Sequence, residues 1–272
     1  METKVVLITG ASAGIGLSVA VQLMNKGVRV YAASRRGGMA IKAERGVGEI
    51  IHLKMDVNSE TDINLVLARI LTENKSLDAV ICNAGNGIAG SIEDTSSDEV
   101  KYQFETNFFG VVKTIQACLP IFRKQGYGKI LTTSSVAAIV PIPFQAFYSA
   151  VKSALLVFMQ ALAMEVKPFG IQCCTVLPGD TKTGFTAARK FTENSMLTDS
   201  VYSKKMKSSV GKMEIDEQNG MTPEAVAKSM VQQIMSKKMK VMIIPGAQYK
   251  IICWLFVRLP ARIRLWVVGK VY

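Results

Sequence analysis

Tyr148 and Lys152 stand four residues apart in the run Phe147-Tyr148-Ser149-Ala150-Val151-Lys152, and Ser135 precedes the tyrosine by thirteen positions. On a helix, residues four apart lie on one face, one turn above the other. An ammonium held beside a phenol favours the phenolate and lowers its pKa. A phenol tuned in this way exchanges a proton with an alcohol or a ketone near neutral pH. Taken singly, each residue has an ordinary reading: Tyr148 as a half-buried helix aromatic, Lys152 as a surface cation, Ser135 as a hydroxyl at a strand end. The chemical reading gains weight from the elements upstream that have to position them.

The chain opens on Val5-Val6-Leu7-Ile8-Thr9-Gly10, an apolar, β-branched run suited to a strand buried on both faces of a parallel sheet. It breaks into Gly10-Ala11-Ser12-Ala13-Gly14-Ile15-Gly16, after which Leu17, Ala20, Val21, Leu23 and Met24 recur at helical spacing and Gly27 is placed to end the helix. A second strand, Val28 to Ala33, follows. Strand, glycine turn, helix and strand within about thirty residues form the context in which a dinucleotide is bound. Glycines allow a tight turn and a close backbone approach to a pyrophosphate, and the free N–H groups of the helix start bind the anion.

The glycine spacing, with Thr9, Gly10, Gly14 and Gly16, is that of T-G-x-x-x-G-x-G. Together with Tyr148 and Lys152 it resembles the short-chain dehydrogenase/reductase family. Other motifs of that family follow in order over roughly residues 3 to 246. They are Asp56-Val57, Asn83-Ala84-Gly85 after the strand Ala79-Val80-Ile81-Cys82, Asn107 in a helical stretch, Ser134-Ser135 after the strand 129–133, and Pro178-Gly179 with Thr183 four residues beyond the glycine. One departure is Cys82, where the family often has a first asparagine before Asn-Ala-Gly.

The resemblance implies a single doubly wound α/β Rossmann domain over 1–272, with a seven-stranded parallel sheet. It implies a catalytic set of Ser135, Tyr148, Lys152 and Asn107, in which Lys152 holds the nicotinamide ribose and Asn107 anchors a water. It also implies a cofactor site made of Gly10, Ser12, Gly14, Ile15, Gly16, Ser34, Arg35, Arg36, Asp56, Val57, Asn83, Ala84, Gly85, Tyr148, Lys152, Pro178, Gly179, Thr181 and Thr183, with Asp56 at the adenine. Relatives pair through two long helices, here about 100–124 and 147–168, so a homodimer or homotetramer is expected.

Charge points to the form of the cofactor. A ribose 2′-hydroxyl calls for a carboxylate at the end of the second strand, and a 2′-phosphate for an arginine. The strand here ends Ala33-Ser34-Arg35-Arg36, with no carboxylate. Arg35 has the means to bond a phosphate and to stack on the adenine, so NADP(H) is the expected cofactor.

A length of 272 residues and 49% hydrophobic content suffice for one large α/β core without a second domain. The five cysteines, Cys82, Cys118, Cys173, Cys174 and Cys253, are odd in number and lack metal-ligand spacing, which suits a reducing, cytoplasmic compartment and no bound metal. The one histidine, His52, lies in an apolar run and reads as structural, which argues against a histidine triad or a zinc site. No basic region followed by an apolar core stands ahead of the first strand, so no signal peptide is expected. A net charge of +12 attracts anions, yet no interleaving of aromatic and basic residues suggests base stacking, and nucleic acid is not expected as a partner.

Two segments bear on the substrate. Residues 184–220 are polar and carry Met196, Met206 and Met213; by the resemblance they form a mobile cover over the substrate. With Val140, Ile142, Pro143, Phe144, Phe147 and Phe185 they favour a greasy pocket lined in part by Phe144 and Phe185, and a bulky lipophilic ketone or alcohol such as a steroid, a retinoid or a lipid carbonyl. The same side chains also read as core or dimer contacts. The tail, 247–272, interrupts its apolar runs with Arg258 and Pro260, so neither run reaches the ~20 residues needed to span a bilayer. Its arginines and tryptophans among aliphatics fit a segment lying on a membrane surface, though a cover over the cleft or a subunit contact is the favoured reading. A non-catalytic NADP sensor or scaffold on the same fold is the alternative function, and the filled catalytic set speaks against it. An epimerase or dehydratase is disfavoured because no further acid–base residue stands out.

Overall fold

The computed structural model describes residues 4–38, 41–42, 48–197 and 200–272. β1 (Val5–Thr9) is buried along its whole length, as a β-branched run covered on both faces should be. It leads through the glycine turn into α1 (Gly14–Met24) and then β2 (Arg29–Ser34), one residue later than the apolar pattern indicates. The chain continues through β3 (Ile41–Lys42), β4 (Glu49–Lys54), α2 (Glu60–Asn74), β5 (Ala79–Cys82) and β6 (Ile88–Ala89). Then come α3 (Ser97–Phe104), α4 (Gly110–Gln125), β7 (Gly128–Thr133), α5 (Ala146–Glu165) and β8 (Ile171–Val176). The last third holds β9 (Lys190–Phe191), α6 (Ser203–Gln218), α7 (Pro223–Met235), β10 (Met242–Ile243), α8 (Ala247–Arg258) and α9 (Ala261–Val271).

The main sheet has the order β10-β8-β7-β5-β1-β2-β4-β3. Its first seven members run parallel, giving the expected seven-stranded parallel sheet of a Rossmann-like α/β fold. The sequence pattern does not show the eighth strand, β3, which pairs antiparallel on the β4 edge. Two residues are too few to display a period. A second small sheet pairs β6 with β9, and ties the segment after β8 back to the turn after β5.

Each face of the main sheet carries its own core. On one side Val19, Leu23, Val226, Met230 and Ile234 of α1 and α7 pack on Val6, Ile8 and Val30. On the other, Ile63, Ile70, Ile115, Phe122, Leu155 and Met159 of α2, α4 and α5 pack on Leu7, Tyr31 and Val80. The alternation of Val6 and Ile8 with Leu7 across one strand is the period-two pleat that lets a single run serve both layers. Fully burying a side chain such as Phe122 contributes roughly 1.5–3 kcal/mol. α5 is the one described helix apolar and long enough to cross a membrane, but Val151, Leu155, Met159 and Leu162 bind it into this core.

Three helix starts are closed by side chains. Ser59 caps α2, Ser96 and Glu99 form a reciprocal capping box on α3, and Thr222 caps α7, with Pro223 at its first position. α1 has no side-chain cap, which leaves the N–H groups of its first turn facing the glycine turn.

Candidate active site

The candidate residues sit at the carboxyl ends of the parallel strands, where open α/β sheets bind ligands. Gly10 follows β1, Ser34 ends β2, Asp56 follows β4, Asn83 follows β5, Ser135 follows β7 and Pro178 follows β8. β1 is flanked by β2 on one side and β5 on the other, so the glycine turn lies at the point where the strand order reverses.

The turn needs glycine for two reasons. Gly10 and Gly14 have φ of 66° and 55°, a region that costs an L-residue about 1–2 kcal/mol. Space is the second: a Cβ on Gly10 would lie 2.6 Å from Ala84 Cα, and one on Gly16 would lie 2.6 Å from Asn83 Nδ2. The β1 and β5 ends are therefore in contact. Thr9 Oγ1 accepts the N–H groups of Asn83 and Ala84, both at 3.1 Å, and Asn83 Nδ2 donates to Gly10 O at 3.2 Å. Thr183, from the loop after β8, lies 3.4 Å from where a Gly14 Cβ would stand, so that loop closes over the turn. Thr181 holds the loop by donating to Gly179 O at 2.8 Å, and Pro178 O accepts from Val136 N at 2.9 Å. Ile15, half-buried, packs against the core on the α1 side.

The ends of β2 and β4 gather Ser34, Arg35, Arg36 and Lys54, and Ser34 pairs with Lys54 across the ladder. Arg35 and Arg36 are exposed, and Arg36 donates to Ser12 Oγ at 3.2 Å. The buried Ser34 Oγ has no partner among the described residues. Asp56 Oδ1 accepts from Asn58 N at 3.0 Å, while Val57 packs against Gly110 of the long helix. An uncapped helix start beside a turn that only glycine fills is what the pyrophosphate of a dinucleotide requires, and these residues fit one.

Tyr148 lies in the first turn of α5 with Lys152 one turn on. Ser135 is extended, at φ −163°, just after β7. Its hydroxyl accepts from Ala137 N at 3.1 Å and is close enough to the Tyr148 hydroxyl to favour the phenolate. That contact is not a closed hydrogen bond, so we take the two hydroxyls as neighbours. The pKa of Tyr148 is pushed up to about 12, by desolvation first of all, with Ser135 and Arg189 opposing and Glu217 reinforcing it. The four-residue spacing predicts the opposite direction, through Lys152. The lysine instead turns its ammonium to Thr133 O, 3.1 Å away, and stands 5.6 Å from the centre of the phenol ring. Burial lowers Lys152 itself to about 8. Desolvation is the largest cause for Tyr148 and the one cause for Lys152, because burial penalises phenolate and ammonium alike.

A line of hydrogen bonds joins the two halves of the site. Thr9 holds the Asn83 backbone, Asn83 Oδ1 accepts from Thr133 Oγ1 at 3.1 Å, and Thr133 O accepts from Lys152. Ser134 Oγ bonds Lys152 O at 2.8 Å. Asn107 occupies a π-helical segment, Glu105–Phe109, between α3 and α4. The sequence pattern reads one continuous helix there; the extra residue per turn turns Asn107 into the interior, a distortion common at functional sites. Its Nδ2 donates to Asn86 Oδ1 at 2.7 Å, while its buried Oδ1 has no partner. A Cβ on Gly85 would stand 2.8 Å from that oxygen and 3.7 Å from Lys152 Nζ, so Gly85 opens the space that both atoms face.

Phe185 lies against the reacting end, its ring 5.8 Å from that of Tyr148 and packed on Gly87. Phe144 adopts a positive φ of 60° and packs with Ala89, Met206 and Val210. Met206 and Met213 are buried within the segment 184–220, whereas Met196 faces solvent. Thr198 and Asp199 of that segment lie outside the described residues. Three partners escape sequence reasoning. Arg189, only 6% exposed, pairs with Glu217, which also accepts from Thr186 at 2.6 Å. Both charges act on Tyr148. Tyr249 of α8 packs on Gly179 and donates to Asp180 Oδ2 at 3.1 Å. Contacts spanning 28 or 69 residues leave no local pattern. Among the described residues no cluster suited to a metal ion occurs, and all five cysteines are free and buried.

Residues 4–194 match the family model of the short chain dehydrogenases. The chain is 39% identical to 3-ketodihydrosphingosine reductase of Bacteroides thetaiotaomicron, over 82% of this chain and 80% of the relative. It is 34% identical to human 17-beta-hydroxysteroid dehydrogenase type 1, over 68% of this chain and 59% of the relative. Among solved structures, a short-chain dehydrogenase from Streptomyces avermitilis superposes with a TM-score of 0.80 at 26% identity, covering 99% of this chain and 97% of the other. The matched region contains the glycine turn, the Asn83 turn and the Ser135, Tyr148 and Lys152 group, and the chain accordingly belongs to the short-chain dehydrogenase/reductase family of oxidoreductases, which use a nicotinamide cofactor.

Proposed function

We propose that this chain is an NADP(H)-dependent oxidoreductase that interconverts a secondary alcohol and a ketone on a bulky lipophilic substrate. The observation that carries the reading is the gathering of Ser135, Tyr148 and buried Lys152 at the carboxyl edge of the sheet, whose glycine turn fits a dinucleotide. When bound, the nicotinamide supplies a hydride to the carbonyl carbon, or takes one from the carbinol carbon.

In reduction, Tyr148 donates its proton to the carbonyl oxygen as negative charge builds there. A pKa near 12 keeps it in the donor form at neutral pH. Ser135 donates a hydrogen bond to the same oxygen. In oxidation the phenolate of Tyr148 accepts the alcohol proton. Lys152 holds the ribose hydroxyls, and the free Oδ1 of Asn107 anchors a water through which that proton is replaced. The glycine turn with Ser12 and Ile15 cradles the pyrophosphate. Asp56 and Val57 line the adenine. Asn83, Ala84, Gly85, Pro178, Gly179, Thr181 and Thr183 enclose the remainder.

The choice of NADP(H) rests on Arg35, Arg36 and Lys54 gathered around Ser34. Phe144 and Phe185 line the substrate pocket, with residues 184–220 as its cover. Similarity to the Bacteroides reductase favours a long-chain lipid ketone over a steroid or retinoid. Exposed Phe109, Val157 and Met164 on the two long helices suit pairing into a homodimer or homotetramer. The protein works in the reducing cytoplasm, with its tail at a membrane surface.

The test is loss of NADPH or NADH absorbance at matched concentrations with a panel of lipophilic ketones. The expected outcome is NADPH-linked turnover of the long-chain members. Arg35→Glu should shift the cofactor ratio toward NADH by about ten- to a hundredfold, the worth of one bond to a charged group. A wild-type preference for NADH would refute the cofactor assignment.

A further inference from the structure

The C-terminal helices show a face unlike the rest of the surface. α8 turns Tyr249, Cys253 and Phe256 inward, and α9 buries only Val268. Nearly every other large apolar side chain on them points outward. Ile251, Trp254 and Val257 of α8 are 58%, 54% and 56% exposed, and Leu265 and Trp266 of α9 are 56% and 64% exposed. Between them stand Lys250, Arg258, Arg262, Arg264 and Lys270, and residues 247–272 contain no Asp or Glu. Arg258 stacks over the exposed Trp254 at 4.0 Å, so this cation lies along the apolar surface and not apart from it, while Arg264 covers the inward Phe256 at 5.2 Å. A contiguous exposed apolar patch of this kind marks an interaction site.

We propose that the outer face of α8 and α9 docks on an anionic lipid bilayer, with the two tryptophans and the aliphatics entering the headgroup boundary and the five cations pairing with lipid phosphates. This deepens the reading of the tail as a membrane-surface segment and names its partner; it does not depend on which ketone is reduced. Charge selects the occupant. A second copy related by a twofold axis would set this face against itself, cation to cation with no carboxylate to balance them. An anionic leaflet supplies the missing charge, and each basic residue near it strengthens binding about fivefold. Helices of this length, apolar on one side and basic, lie in the interface and do not cross it.

The docking face is also fastened to the substrate region. Lys212 of α6 donates to Val271 O at 2.6 Å, and Tyr249 bonds Asp180 in the loop after β8. Bilayer contact therefore sets the mouth of the site beside the lipid.

The only two tryptophans of the chain lie on this face, so intrinsic fluorescence reports on it directly. The full-length protein is mixed with phosphatidylcholine vesicles, with or without phosphatidylglycerol, and assayed by tryptophan emission and co-sedimentation. The expected result is a blue shift and sedimentation with the anionic vesicles alone. The double variant Arg258→Glu/Arg262→Glu should bind them at least tenfold more weakly, and Trp254→Ser/Trp266→Ser should also lose sedimentation, with unchanged thermal melting and unchanged NADPH-linked turnover of a water-soluble ketone. Equal binding to neutral vesicles, or no binding to either, would overturn the proposal. So would a lipid-independent dimer, detected by sedimentation velocity, that the tryptophan variant dissociates. Because binding is read without turnover, its failure leaves the catalytic reading standing, and absent turnover leaves the docking result standing.

Discussion

The sheet-borne half of this molecule and its last ninety residues are held together by different means. From β1 to β8 the site is positioned by main chain. Glycines bring one strand end against the next, the Thr9 hydroxyl holds the Asn83 main chain, and Lys152 hangs from a strand carbonyl. From residue 184 onward the register is set by side chains, among them Phe185 on Gly87, Arg189 on Glu217 and Tyr249 on Asp180. A backbone-built site tolerates little change, since neither a carbonyl nor a Cα has another rotamer to adopt. A site built by side chains admits substitution of shape and polarity. Under the proposed function, the difference places the chemistry and the nucleotide in the first region and the cover of the substrate in the second.

That division is open to test, most severely at Tyr148. Tyr148→Phe should lower turnover by roughly 10²–10⁴-fold, the worth of a positioned acid–base group, while cofactor affinity by fluorescence titration stays within a fewfold of wild type. Full turnover in the variant would break the comparison at its centre.

Gly16→Ala comes next. Its methyl would meet Asn83 Nδ2 at 2.6 Å with Gly10 O on the other side, so overpacking of about 1–3 kcal/mol and loss of cofactor binding are expected, seen as a lower Tm that the cofactor no longer raises.

Lys152→Met sharpens the contrast between chemistry and stability. The folded pKa of about 8 lies below the unfolded value, so between about pH 8 and 10.5 the unfolded chain binds more protons. Stability then rises with pH through that window, and below it the cost of burying the charge is present in full. Replacing the ammonium by a thioether should stabilise the protein at pH 7 by about 1–2 kcal/mol while reducing activity, with the gain shrinking above pH 10. Denaturant melts at the two pH values check it; equal stability at pH 7 would show that the Thr133 bond compensates the burial.

The smallest effect is expected at Gly211 in α6, where a Cβ would touch nothing within 4 Å. Gly211→Ala should stabilise by about 0.5–1 kcal/mol through helix propensity, with kcat unchanged. Destabilisation there would mean that the second region is as tightly fitted as the first.

Legibility in the sequence follows the same boundary. The glycine turn, the parallel strands and the helical pair Tyr148 and Lys152 are local, because a turn that needs positive φ or a strand buried on both faces writes itself into neighbouring residues. The π-helical segment around Asn107 is not legible, since inserting one residue into a turn leaves the apolar period on either side intact. The antiparallel β3 is too short to read, and the pairing of β6 with β9 joins residues a hundred positions apart. Arg189 stands in a polar stretch without any mark of burial, yet it meets Glu217, and both charges act on the Tyr148 phenol.

The sequence by itself determined the α/β class, the order of the main parallel strands and their helices, the spacing of Ser135, Tyr148 and Lys152, and the positive charge after the second strand. All of these depend on residue type and short-range period. Only the tertiary structure decided the electrostatics of Tyr148 and Lys152, because desolvation is a property of everything packed around a group and here it exceeds the effect of the one neighbour that spacing supplies. It also decided which side chains of the tail point inward, since Tyr249, Cys253 and Phe256 are no more apolar than the tryptophans left outside.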